Sequence, residues 1–175
     1  MVESEVGRVM VGAPFREASV AWVDDATGIN CKARLDAFAE PHIYDLKNIR
    51  RGKAAPGEHG FGKYAWSYRW DIRAAHYFKA CDAAGVKATH YNFVAFEKAP
   101  MRTRAGLRVP MCNHTLYRMS EEGQIALMEW REAMNTLAAC LRDDKWPCYP
   151  ASASVVWPRR VYIDEEGEDA PNFST

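Results

Sequence analysis

The chain lacks a long apolar run. Hydrophobic residues make up 48% of its 175 positions, enough for a buried core, but no stretch approaches the roughly 18–20 apolar residues of a membrane span. Its acidic start, Met1-Val2-Glu3-Ser4-Glu5, lacks the basic-then-apolar order of a secretory signal. A soluble, unsecreted protein with no membrane partner is expected. There is no C-x-x-C pair. The five cysteines (Cys31, Cys81, Cys112, Cys140 and Cys148) are odd in number and widely spaced, which argues against a disulfide framework. Cys112-x-His114 is too short and unspecific to indicate zinc, so most of the cysteines are expected as small buried apolar residues. The five histidines show no H-x-x-x-H spacing. Gly52, Gly57, Gly60 and Gly62 lack the Gly-Lys-Ser/Thr that would complete a phosphate-cradling loop. No serine stands in a G-x-S-x-G context.

Net charge is also absent, with 23 basic and 23 acidic side chains, but the balance hides an asymmetry. Five acids, Asp164, Glu165, Glu166, Glu168 and Asp169, crowd the last dozen residues, which hold no Lys or Arg. Without them 23 basic residues face 18 acidic ones, a body compatible with a polyanionic partner.

Hydrophobic patterning and punctuation predict a mixed α/β fold, a small central sheet flanked by helices. Residues 18–24 read as a strand, Thr27-Gly28 as a turn, 29–38 as a second strand, and 42–49 as a third after the Glu40-Pro41 turn. A loop follows from 50 to 62. One long helix is expected over 64–84, closed by Gly85, and then a strand over 86–96 and a weaker one near 111–119. Ser120-Glu121-Glu122 opens a last helix to about Arg142, with Ile125, Met128, Met134, Leu137 and Leu141 as its apolar positions. The domain is expected over 17–150, after a lead-in over 1–16 and before a tail over 151–175 that ends acidic.

The chemistry concentrates in Arg34-Leu35-Asp36 and Tyr44-Asp45-Leu46-Lys47. In a strand, Asp45 and Lys47 share a face. A hairpin centred between Glu40 and Pro41 sets residues summing to 81 opposite one another, so Asp36 faces Asp45 and Arg34 faces Lys47. Directly opposed side chains sit about 4.5–5.5 Å apart. Carboxylates so placed repel, and a hard divalent cation removes that cost. A lysine beside it can position the attacking water or offset charge developing on a phosphorane. Acids on a hairpin also serve solubility, so geometry alone leaves both a solvated hairpin and a metal site open.

Asp36 followed by Asp45-x-Lys47 resembles the D…(D/E)-x-K signature of the PD-(D/E)XK nuclease superfamily. The wider stretch from Thr27-Gly28-Ile29 through Cys31-Lys32 and Arg34-Leu35-Asp36 to Asp45-Leu46-Lys47 is similar to phage and prophage exonucleases of the RecE type. Trp70-Asp71-Ile72-Arg73-Ala74-Ala75-His76-Tyr77 resembles that family's Q-x-x-x-Y helix motif, and Trp146-Pro147-x-Tyr149 resembles its ending. The resemblance implies that Asp36, Asp45 and the Leu46 carbonyl hold Mg²⁺ or Mn²⁺, that Lys47 is the catalytic lysine, and that Tyr77 belongs to a helix facing the site and DNA. It implies hydrolysis of linear duplex DNA by a metal-activated water, leaving a 5′-phosphate. It further implies an annealing or recombinase protein as partner and the cytoplasm of a bacterium or phage-infected host as location. Related closed rings around DNA raise the prospect of a homo-oligomer.

Arg73 stands where the motif has glutamine, on a helical stripe with Trp66, Trp70, Tyr77 and Cys81. It can stack on tryptophan with its head in water. Alternatively it grips a DNA phosphate, or pairs with Asp36 or Asp45 when no metal is bound. Relatives also draw a His or Glu from a helix ahead of the first strand. Here only about sixteen residues precede that strand, and Glu17, at its edge, is the nearest acid. Lys47, Arg50, Arg51 and Lys53 form a basic cluster suited to phosphate contact, as do Arg34 and Arg73. Lys98, Arg102, Arg104 and Arg108 form another. The intact Asp36, Asp45 and Lys47 favour an active nuclease. Arg73 and the missing upstream ligand favour a weakened or inactive nuclease-fold protein that works by binding DNA or a protein partner.

Overall fold

A computed structural model of the chain describes residues 5–56, 60–98, 101–103, 106–108 and 111–146; side chains are not described over 101–108. The body, Met1–Asp144, forms one compact unit. Its elements are α1 (Glu5–Gly12), β1 (Phe15–Val23), β2 (Asn30–Ala39), β3 (His42–Ile49), α2 (Phe61–Ser67), α3 (Trp70–Ala83), β4 (His90–Glu97), β5 (Met101–Thr103), β6 (Gly106–Arg108), β7 (Met111–Tyr117) and α4 (Glu121–Asp143). Five strands form one sheet in the order β1-β2-β3-β4-β7, while β5 and β6 make a separate hairpin. Neighbours are antiparallel except β3 and β4. Parallel neighbours need a crossover, which α2 and α3 supply. The mixed α/β architecture expected from the sequence is therefore the one observed.

Alternation along the strands gives the sheet two apolar faces. Ile43 and Ile49 of β3 and Tyr91, Phe93 and Ala95 of β4 pack beneath α3, which contributes Ala74, Tyr77, Phe78, Ala80 and Cys81. Tyr44 and Val94 lie on the other face with Ala37, against Met10 of α1 and Ala13. The lead-in over 1–16 thus contains a helix, too short to carry a clear period of its own. Helix α3 ends as Gly85 signalled: Gly85 takes φ +70°, its N–H donates to Asp82 O, and the Val86 N–H donates to Cys81 O. That is a Schellman motif, and glycine adopts its left-handed turn without a Cβ clash.

Three expectations need correction, and one element was not expected. The single helix over 64–84 is two, because Arg69 adopts a left-handed conformation (φ 52°) between α2 and α3; Trp66 therefore leaves the stripe of Arg73 and Tyr77. The strand expected from residue 86 begins at His90. Nothing in the reading foresaw the β5–β6 hairpin. Helix α4 buries Gly123, Ala126, Trp130, Met134 and Cys140, whereas Ile125, Met128, Leu137 and Leu141 are exposed. A Cβ on Gly123 would meet Tyr117 O at 2.2 Å, so the turn into the helix closes tightly there, and Ala126, Trp130 and Met134 pack with Cys31 and Ala75.

Cys31, Cys81 and Cys140 are buried and Cys112 partly so, as expected of small apolar residues. Among the described residues, no helix is long and apolar enough to cross a membrane. Cys148, Pro147, Tyr149, Arg104 and the acidic tail lie outside the described residues, as do the side chains of Arg102 and Arg108.

Candidate active site

The turn at Glu40-Pro41 sets the register the sequence implied. Ala37 faces Tyr44, Phe38 faces Ile43 and Ala39 faces His42, each pair summing to 81. The ladder stops there. One step further, where Asp36 would face Asp45, the Leu46 N–H donates instead to Asp36 Oδ2 at 2.7 Å. The β1–β2 ladder likewise passes over Glu17 and Asp36, and Glu17 takes φ 51°, uncommon outside glycine. Side-chain phase slips at the same point. Ala33 and Leu35 face α3, Ala37 faces α1, and Phe38 faces α3 again. Asp36 is thus a local irregularity that replaces a ladder carbonyl with a carboxylate and brings it to the backbone of Leu46.

Asp45 and Lys47 project from β3 into the α3 side of the sheet, and their side chains are only 5% and 6% exposed. Lys47 Nζ donates to Asp45 Oδ2, and the Tyr91 hydroxyl donates to the same oxygen at 2.8 Å. The Lys47 ammonium sits 5.1 Å from the centre of the Trp70 ring. Arg73 lies over the Tyr77 ring at 5.8 Å, and Tyr77 meets Tyr91 at 5.7 Å. A continuous series runs from Arg73 through Tyr77, Tyr91 and Asp45 to Lys47 and Trp70.

The electrostatics follow from burial and from the sharing of charge. Burial pushes the Asp36 carboxyl above its usual range; the Leu46 N–H opposes this, the Asp45 charge adds to it, and Lys47 offsets it. Lys47 binds its proton less firmly than an ordinary lysine. Burial is the main cause, partly offset by Asp45 and Asp36, while Arg73 adds repulsion. Tyr91 is pushed well above its usual range by burial and then by Asp45, which keeps it a donor to that carboxylate. For Arg73, burial works against the charge, but Asp45 and Tyr77 outweigh it and hold the proton more firmly.

The remaining predicted residues divide. Arg34 does not face Lys47: it lies opposite Ser19 of β1 and pairs with Glu17 at 2.7 Å. The β2–β3 ladder ends before reaching it. Arg34 and Arg73 nevertheless line one open groove of about 710 Å³ with Lys32, His76, Tyr77 and Trp130. Arg50, Arg51 and Lys53 are exposed on the segment leaving β3. Arg73 forms no ion pair among the described residues; it rides on Tyr77 rather than on a tryptophan.

Tyr91 and Trp70 are members of the cluster that the sequence pattern does not mark as such. Tyr91 meets Asp45 only because β4 runs parallel to β3 in a register that sets Phe93 beside Asp45. No local pattern announces that register. Trp70 was visible as part of a helical stripe but not as the face against which Lys47 rests.

The donor set has a definite character. Among the described residues, no three His, Cys, Asp or Glu side chains gather as a metal cage. Two carboxylates, with the Asp45 charge raising the proton affinity of Asp36, suit an ion that keeps several waters and a substrate phosphate, as Mg²⁺ does.

No protein-family profile matches the chain, and no curated protein does. Among solved structures, the chain is similar to the crystal structure of a protein from Eubacterium rectale designated "Putative exonuclease", at a TM-score of 0.53 and 15% identity. The match covers 84% of this chain and 57% of that one, so this chain spans little more than half its length. The likeness establishes a shared fold.

Proposed function

We propose that this chain is a Mg²⁺- or Mn²⁺-dependent deoxyribonuclease, an exonuclease of the RecE type that acts on linear duplex DNA ends in phage or prophage recombination. The observation that carries this reading is the convergence of Asp36, Asp45 and Lys47. A buried lysine is held on one carboxylate, and a second carboxylate is drawn alongside through the backbone of Leu46. The fold shared with an exonuclease-designated protein supports it.

Asp36, Asp45 and the Leu46 carbonyl would hold the cation, which when bound supplies charge neutralisation and Lewis acidity at the scissile phosphate. Tyr91 orients Asp45 through its hydroxyl. Lys47, poised by burial to release its proton more readily than a surface lysine, accepts or donates a proton at Nζ and faces charge developing on phosphorus. Arg73 stands at the mouth of the groove, where its guanidinium engages a phosphate. Arg34, Arg50, Arg51 and Lys53 extend the cationic surface for the backbone. Hydrolysis breaks the bond from phosphorus to the 3′ oxygen and leaves a 5′-phosphate. In this reading the enzyme works in the cytoplasm of a bacterium or infected host. It passes the exposed strand to an annealing or recombinase protein and encircles its substrate as a homo-oligomer.

Digestion of end-labelled linear duplex with Mg²⁺ or Mn²⁺, beside EDTA and Lys47→Ala controls, tests the proposal. Metal-dependent and Lys47-dependent loss of label is expected; clean, folded protein that releases no label overturns it. One observation favours a second reading, a nuclease-fold protein that only binds DNA or a protein partner: the Arg73 charge bears on both Asp45 and Lys47. If Arg73 silences the site, Arg73→Gln gains cleavage; if it serves the phosphate, the same change loses it.

A further inference from the structure

Helix α2 presents more aromatic surface than its packing uses. Phe61 anchors it, 2% exposed, against Trp70, Phe93 and His114 at 5.7, 5.5 and 4.2 Å. Tyr64 is half-buried against the same core, whereas Tyr68 stands outside it. Their rings lie 4.8 Å apart, each meets Trp70 (5.6 and 5.7 Å), and Tyr68 is 57% exposed. Trp66, 54% exposed, lies under the Arg69 guanidinium at 5.3 Å. Arg69 is held in turn by Asp71 and Glu129. An aromatic path therefore leads from solvent at Tyr68 through Trp70 to the ammonium of Lys47.

Basic side chains predominate around this path, although Arg69 is paired with Asp71 and Glu129 and Lys47 with Asp45. The segment leaving β3 runs back against α2, where the Phe61 N–H donates to Ala55 O, and the Arg50 charge is felt at the Tyr64 phenol. The segment between Leu46 and Trp70 carries Lys47, Arg50, Arg51, Lys53, Lys63 and Arg69 against a single acid, Glu58. A second copy of the chain offering the same face would set like charges together. A polyanion whose monomers carry flat rings matches both the cations and the exposed aromatics. Bases locked inside a duplex cannot present their faces to such a surface; unpaired ones can.

We infer that Tyr64, Trp66 and Tyr68 form a base-stacking platform that seats unpaired nucleotides of a DNA strand beside Lys47. The inference rests on the nuclease reading and adds to it a substrate class, a strand that is single at the point of attack. Bases stack on Tyr68 and Trp66 while Arg50, Arg51 and Lys63 track the phosphates, and the strand is led along Trp70 toward Asp45 and Lys47.

Fluorescence anisotropy with two labelled probes tests this: a 12-nucleotide thymidine strand and an abasic strand of equal length. Ca²⁺ replaces Mg²⁺ to suppress hydrolysis. Phosphates are equal in the two probes, so stacking alone separates them. Wild-type protein is expected to bind the thymidine strand about tenfold more tightly, and Tyr68→Leu to bring that ratio close to one. Equal affinities of wild-type protein for the two strands overturn the platform without any variant needing to fold. So does a ratio unchanged in both Tyr68→Leu and Trp66→Leu. Duplex digestion is scored separately. Cleavage with equal affinities refutes the platform and leaves the nuclease standing, whereas base-dependent binding without cleavage refutes the nuclease alone.

Discussion

Two aspartates, Asp24 and Asp45, are buried to nearly the same degree, 6% and 4% exposed, and both have cations for neighbours. At Asp24 both oxygens are engaged. Arg131 reaches across from α4 with two nearly parallel bonds, Nη1 to Oδ2 at 2.7 Å and Nη2 to Oδ1 at 3.0 Å. Thr27 adds its hydroxyl at 2.7 Å and its N–H at 3.2 Å. At Asp45 the hydrogen bonds from Lys47 and Tyr91 converge on Oδ2 alone, while Arg73 contributes charge from a distance. The first arrangement saturates a carboxylate and staples α4 to the β1–β2 turn, a bidentate geometry that suits a structural role. The second keeps charge of both signs close together with donors gathered on one side, the arrangement that the proposed cation and phosphate site calls for. Equal burial therefore says little; the distribution of partners is what tells the two carboxylates apart.

That contrast can be broken or sharpened by experiment. The largest effect is expected from Lys47→Met, which lowers the cleavage rate by on the order of 100- to 1000-fold. Replacing the pair together, Lys47→Met with Asp45→Leu, leaves the melting temperature level or raises it, because both buried charges go at once. A fall in melting temperature of several degrees would mean that the Lys47–Asp45 pair is a staple like Asp24–Arg131. Next in size, Asp24→Ala is expected to cost about 2 kcal/mol, about 4–8 °C for a chain of this length, with specific activity at 25 °C preserved. Calorimetry and initial rates on one preparation decide it. Smaller still, Mn²⁺ or Mg²⁺ at ten times its dissociation constant stabilises the protein by about 1.4 kcal/mol. Asp36→Asn and Asp45→Asn each remove that gain and Asp24→Asn retains it, as thermal shift titrations would read. The smallest effect is in pH. Arg131 holds the Asp24 carboxyl below its usual range, with Thr27 assisting against the opposing effect of burial. Its folded pKa is lowered, so this stabilisation is complete above the unfolded value of about 3.9 and is lost as pH falls through the folded value. Asp24→Asn should flatten that acid limb of the stability curve; an unchanged limb would remove Asp24 from the account.

Helix α4 and the β2–β3 hairpin show how legibility divides. Ser120 was readable as a cap, and its Oγ accepts from the Gly123 N–H at 3.2 Å. The buried face of the helix was not readable, since ranking positions by apolarity selected Ile125, Met128, Leu137 and Leu141. Against the sheet and α3 pack Ala126 and Trp130, together with Met134, the one expected position that is buried. In the hairpin, a turn fixed by proline carried the register as far as Ala37 and Tyr44. It could not foretell that Asp36 would leave the ladder to accept the Leu46 N–H, nor that Arg34 would turn to Glu17.

What the sequence determined by itself is whatever acts over a few residues: strands from alternation, turns from Gly28 and Pro41, the end of α3 at Gly85, and the sharing of one face by Asp45 and Lys47. These need only local sterics and backbone hydrogen bonding. Tertiary structure alone decided the neighbours brought together across long stretches of chain: Tyr91 on Asp45, Trp70 under Lys47, Arg131 on Asp24. Each depends on a parallel register or a helix docking angle, and those are set by the packing of the whole core rather than by any stretch a reader can scan.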